Sequence, residues 1–222
     1  WRWSRMFSSS EESVWSNTEP YLHFPETGAL YHVDWLNGAL VSFFSNITGS
    51  LILSTNGMIL IQWIVLGIGI IAITKVLNIQ WWGSLFLLLT LDGSMFIQRF
   101  VLHSGVFERL NIGTILIYLS CLITLKESRS IAWKPLLLGM LGFTLTLLGS
   151  WHYAMFLALA SIGIGIWILW SERTWKTCQN IGILAGGCGL IAYPISQRAQ
   201  SSLDSGSIIE HSAQRLWDWQ TQ

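Results

Sequence analysis

Charge is what this sequence has least of. Twelve basic and twelve acidic residues make up 11% of its 222 positions, where soluble domains carry roughly 25%. Hydrophobic residues make up 52%, so a soluble fold would have to hide about half the chain in one core and would keep too few charges to hydrate its surface. The formal net charge is zero, which excludes the electrostatic footprint of a nucleic-acid-binding protein. Cysteine is equally sparse. Cys121, Cys178 and Cys188 have no CxxC or metal-ligand spacing and read as small packing residues. The five histidines include no HxH or HxxxH pair, and no Asp-x-Asp pair occurs. The cofactor is therefore undefined, and ligand spacing gives a divalent metal no support. The chain opens at Trp1, and no charged stretch followed by an apolar one precedes a cleavage site. No signal peptide is expected, and the sequence reads as a piece of a longer protein, cut at both ends.

What the sequence has in quantity is long apolar runs and 14 tryptophans. Together these indicate an all-α, polytopic helical membrane protein. Residues 1–54 read as an outer-face loop, with Val41–Leu53 as an interfacial or half-inserted helix. Residues 55–194 form the transmembrane domain, and residues 195–222 an amphipathic outer-face tail. Thr55–Val76 is the clearest span, since about 20 apolar residues cross a bilayer. Five further crossings are expected at 81–100, 110–125, 136–149, 153–170 and 180–194. The run Pro135–Trp170 is too long for one ordinary helix, so Gly149–Tyr153 reads as a tight turn between two short ones. Ser171–Gln179 is a polar loop, Pro194 ends the last span, and Gly182, Gly186, Gly187 and Gly189 are placed to let neighbouring helices approach closely.

Basic residues set the orientation. Six of the twelve (Lys75, Lys126, Arg129, Lys134, Arg173 and Lys176) fall in the short connections after the first, third and fifth spans, with only Glu127 and Glu172 as acids. The other face holds six basic and ten acidic residues. The first face is therefore cytoplasmic. This places all five histidines, Asp34, Arg99, Glu108, Arg109, Trp151 and Tyr153 outside.

The richest stretch is Leu91–Gly113, with Asp92, Arg99, His103, Glu108 and Arg109 between apolar runs. Ionisable side chains are costly in hydrocarbon, so this stretch is either a wet loop or the lining of a polar cavity. Each residue has a plain and a sharper reading. Asp92 is a helix cap beside Gly93 or an intramembrane carboxylate. Arg99 and Arg109 anchor to phospholipid or clamp a substrate phosphate. Glu108 pairs with Arg109 or serves a pocket. Trp151, His152 and Tyr153 are interfacial residues or the wall of a sugar site, and His32 and His103 are wet-loop residues or substrate contacts. Trp81 and Trp82 read as a cytoplasmic aromatic belt.

The order FPETGALYHVDWLN, apolar spans, HSGVFERLNIG, a basic loop, LLGSWHYAMFLALA and AYPISQRAQSSLDSGS resembles large bacterial polytopic membrane proteins. Those are similar in turn to the GT-C superfamily of glycosyltransferases, which take a sugar from a polyprenyl-phosphate donor. The resemblance implies a multi-pass protein of the bacterial inner membrane, with lipid and a polyprenyl-phosphate sugar as partners. It carries the role of acidic base onto Asp34, with Glu108 as the other candidate carboxylate. Arg99 and Arg109 would hold the leaving phosphate, and His32, His103, Trp151, His152 and Tyr153 would contact the substrate. The alternative is a non-catalytic scaffold or lipid-binding subunit of a larger complex.

Overall fold

The computed structural model describes residues 35–92, 111–128, 130–172 and 174–204. Within them the chain is all-α. The helices are α1 (Trp35–Thr48), α2 (Leu51–Val76), α3 (Trp81–Asp92), α4 (Ile112–Thr124), α5 (Trp133–Gly149), α6 (Trp151–Glu172) and α7 (Trp175–Asp204), and a 3-10 turn, Leu125–Glu127, extends α4. Three are long and apolar enough to cross a membrane: α2, α6 and the Trp175–Gln197 part of α7. The apolar helices α3, α4 and α5 are shorter, at 10–17 residues.

Side chains and backbone strain explain where the helices break. The expected interfacial helix Val41–Leu53 is instead divided between α1 and α2. Gly49 takes φ +64, which an L side chain rarely adopts, and Ser50 then caps α2 by accepting the Leu53 N–H at 3.5 Å. Thr48 Oγ1 donates to the Phe44 carbonyl at 2.9 Å and lies 3.2 Å from Ser54 Oγ, which closes the hairpin. Asn78, at φ 56, turns the chain from α2 into α3, and Thr74 and Ser84 hydroxyls meet across that corner at 2.7 Å.

The tight turn expected at Gly149–Tyr153 is present and shorter than anticipated. Ser150 is extended, at φ −161, and its hydroxyl accepts the Tyr153 N–H at 3.4 Å to start α6. The polar loop expected over Ser171–Gln179 is largely helical, because Thr174 starts α7 by accepting the Thr177 N–H at 3.3 Å. Pro194 does not end the last helix, as α7 runs on to Asp204. Proline removes one backbone donor, and a membrane helix tolerates that where neighbours satisfy the freed carbonyl.

The helices pack around Leu122, Leu125, Leu136, Phe143, Ile168 and Leu184. Outward faces are apolar instead of charged: Ile52, Ile71, Phe86, Phe156 and Leu190 are all strongly exposed. A soluble protein would not display such a surface, and a lipid-embedded one must. Trp81, Trp82, Trp133, Trp170 and Trp175 are also exposed and sit at helix ends on one side of the bundle. Lys75, Lys126, Lys134 and Lys176 lie at that same end, which matches an interfacial belt.

Glycine-mediated approach occurs elsewhere than expected. A Cβ on Gly182, Gly186 or Gly189 would meet nothing within 4 Å; of the four, Gly187 does take a close neighbour, since a Cβ there would lie 2.7 Å from the Met140 sulfur of α5. The close crossing is between α2 and α4. A Cβ on Gly69 would lie 2.5 Å from the Gly113 carbonyl oxygen, and one on Gly113 would lie 2.6 Å from Val65 and Leu66 backbone atoms.

Candidate functional site

Two features of the described residues have chemical potential: a buried amide node and an apolar groove. The node joins three segments that are far apart in sequence. Gln62 Nε2 donates to Asn37 Oδ1 at 2.6 Å and to Asn111 Oδ1 at 2.9 Å. Asn37, Gln62 and Asn111 are all buried. Gln62 is set in the middle of α2, about 16 Å along the axis from Leu51 at 1.5 Å per residue. Next to it the Thr114 and Thr146 hydroxyls lie 2.8 Å apart. One donates to the other, and the other's proton goes to a carbonyl of its own helix, Asn111 for Thr114 at 2.7 Å or Gly142 for Thr146 at 2.8 Å. Asn111 packs against Gly149 so closely that a Cβ there would collide with the amide. The node therefore fixes the hairpin α1–α2 against the α4–α5 pair.

The groove has a volume of about 410 Å³ and opens between α6 and α7. Its α6 wall is Ala158, Ile162, Gly165 and Leu169, its α7 wall is Ile181, Ala185, Cys188 and Ala192, and Tyr118, Leu122 and Phe143 form the floor. Ala158 to Leu169 spans about 16 Å of helix. The lining is apolar apart from Tyr118, Ser161 and Cys188. Ser161 donates to the Leu157 carbonyl at 2.5 Å, so its hydroxyl is satisfied within α6.

Of the residues singled out in the sequence, Trp151, His152 and Tyr153 are described. They form the first turn of α6, about 10 Å along its axis from the groove's near end at Ala158. Trp151 is half-buried against the core cluster. His152 and Tyr153 are half-buried, each in contact with protein groups. His32, Asp34, Arg99, His103, Glu108 and Arg109 lie outside the described residues, as does the Asp92 side chain. The three cysteines divide: Cys121 and Cys188 are buried packing residues as expected, but Cys178 is exposed. Among the described residues no three His, Cys, Asp or Glu side chains gather as a metal site.

Sequence reasoning missed the node and the groove. Gln62 did leave a signal, because it is an isolated amide in the apolar run Met58–Ile73. No comparable signal marks the groove, whose residues are ordinary membrane-span residues. No protein-family model, curated protein or solved structure matches the chain.

Proposed function

We propose that this protein holds the hydrocarbon chain of a lipid-linked substrate in the groove between α6 and α7, and transfers a sugar from a polyprenyl-phosphate donor at the outer face of the membrane. The groove carries the reading. Its volume of about 410 Å³ falls within the roughly 300–1,000 Å³ of small-molecule sites. Its lining suits a hydrocarbon chain, and one end lies one to two turns below Trp151, His152 and Tyr153. A chain in the groove places its head group at that turn, where aromatic rings can stack on a sugar.

In this reading Asp34 or Glu108 takes the proton of the acceptor hydroxyl. The acceptor oxygen bonds to the anomeric carbon as the bond to the phosphate oxygen breaks. The electron pair leaves with the polyprenyl phosphate, whose charge Arg99 and Arg109 stabilise. Protein in lipid nanodiscs, given radiolabelled polyprenyl-phosphate sugars, is expected to transfer or hydrolyse one of them, and Asp34→Ala or Glu108→Ala to abolish turnover. Absence of turnover across the donor panel, with donors also failing to compete for a photoreactive isoprenoid chain in the groove, overturns the proposal.

A second reading, a non-catalytic subunit of a larger complex, is favoured by α3. Trp81, Trp82, Phe86 and Leu89 are exposed on this helix, which rests on α2. Such a face suits either lipid or a partner's helix. Isolation of a stoichiometric partner lost on Phe86→Ser, with no turnover by either protein, favours this reading.

A further inference from the structure

The amide node contains two atoms that its hydrogen bonds do not account for. Gln62 Oε1 and Asn111 Nδ2 are both buried and have no hydrogen-bond partner. Gln62 is 1% exposed and Asn111 fully buried. Each belongs to an amide that is already paired with the other through Gln62 Nε2 and Asn111 Oδ1 at 2.9 Å. Two facing amides can form a ring of two such bonds. Here the first rung is made, and the second, from Asn111 Nδ2 to Gln62 Oε1, is not. Buried polar groups left without a partner are costly, and one deficit of each sign on adjacent side chains is a specific demand.

The chemistry of that demand identifies the ligand. Asn111 Nδ2 needs an acceptor and Gln62 Oε1 needs a donor. A cation satisfies only the second and an anion only the first. Turning over all three amides of the node reverses every role: Gln62 Oε1 then accepts from Asn37 and Asn111, and Gln62 Nε2 and Asn111 Oδ1 remain. One donor and one acceptor are again left. Turning over one amide alone sets two donors or two acceptors face to face. In every consistent arrangement the node wants a group that donates and accepts at once. The group is small, because Gly149 packs directly on the Asn111 amide, and Thr114 and Thr146 do not supply it, since their protons go to one another and to carbonyls of their own helices.

We propose that the Asn37–Gln62–Asn111 node is the binding site of a single water molecule, which accepts from Asn111 and donates to Gln62 as the second rung of the amide pair. The water is a permanent part of the joint between the α1–α2 hairpin and the α4–α5 pair, about 16 Å along α2 from its Leu51 end. The site places a water beside the turn that bears Trp151, His152 and Tyr153. The assignment is independent of the glycosyltransferase reading.

Hydroxyl-radical footprinting by X-ray radiolysis tests this on the full chain in nanodiscs, because radicals form on bound water and oxidise what lies next to it. The reporter is Met58, one helical turn from Gln62 on the same face of α2 and 1% exposed; its thioether oxidises readily. Met58 is expected to oxidise severalfold faster than its burial allows, and to lose this excess in Gln62→Leu/Asn111→Leu. Oxidation of Met58 at the slow rate of a dry core residue in the native protein overturns the proposal, with no need for the variant to fold. An experimental structure fine enough to show waters gives the second reading. Density within hydrogen-bond distance of both amides supports the site, and a directly closed Gln62–Asn111 ring overturns it.

Discussion

Gln62 Nε2 reaches Asn111 Oδ1 at 2.9 Å across 49 positions of the chain, and the same nitrogen reaches Asn37 at 2.6 Å. One side chain thus holds together the start of α1, the middle of α2 and the cap of α4. Gln62→Ala removes the shared donor and leaves two buried oxygens without it, at a cost of roughly 1–3 kcal/mol. The upper end applies if the hairpin does not relax, since hydrogen bonds between membrane helices are often worth less. Thermal unfolding in detergent should show a clear loss. Replacing all three amides together by Leu or Met should cost less than the sum of the three single replacements, because each bond within the node is then removed together with both of its partners.

The Gly69–Gly113 crossing predicts a sharp contrast among glycines. Gly113→Ala sets a methyl 2.6 Å from backbone atoms of Val65 and Leu66, which cannot rotate away. Overpacking of this kind costs about 1–3 kcal/mol, and α2 and α4 must separate to relieve it. Gly182→Ala and Gly186→Ala meet nothing within 4 Å and, by removing glycine from a helix, should leave stability unchanged or raise it by about 0.5–1 kcal/mol. Equal losses at all three positions would mean that α7 packs more closely than the structure has it.

Why some of this was legible and some was not follows from the kind of signal involved. Apolar run length and the polar residues at its ends gave the membrane class, α2, and the break between α5 and α6. Pro194 misled because a proline stop is a rule of water-exposed helices, and in a membrane helix lost backbone bonds are met by neighbours. Gly182, Gly186 and Gly189 misled, and Gly187 did not, because composition marks where approach is allowed, whereas packing decides which glycines use it. Gly69 and Gly113 stand 44 positions apart and only the folded chain brings them together. The same applies to Asn37, Gln62 and Asn111. The candidate carboxylates and guanidinium groups lie outside the described residues, so the groove and the α6 turn carry the functional reading.

Asn180 anchors the link between α4 and α5. It is fully buried, its Nδ2 donates to the Ser130 carbonyl at 2.9 Å, and its Oδ1 accepts the Ala132 N–H at 3.2 Å. Asn180→Leu strands both backbone groups, at a cost of about 1–3 kcal/mol. The effect should be local, with faster proteolysis or amide exchange around residues 128–132 and little change at the amide node. Asn180→Asp keeps the acceptor for Ala132 and should recover part of the protection. If both variants behave like the native protein, the link is held by the α5 start alone.

Cys178 turns the proposed orientation into a direct measurement. It is the exposed thiol of the three, whereas Cys121 and Cys188 are buried between helices. It sits in the first turn of α7, two residues from Lys176. The basic residues at this end predict that it faces the cytoplasm. A membrane-impermeant maleimide should therefore label one thiol per chain in inverted vesicles and none in right-side-out vesicles, and Cys178→Ser should abolish the signal. Cys188 lines the groove, so a lipid-soluble thiol reagent should reach it slowly, and a long isoprenoid phosphate should protect it while leaving Cys178 unaffected. Labelling of Cys178 from the outside would invert the whole protein. It would place Trp151, His152 and Tyr153 in the cytoplasm, where a donor presented at the outer leaflet could not meet them.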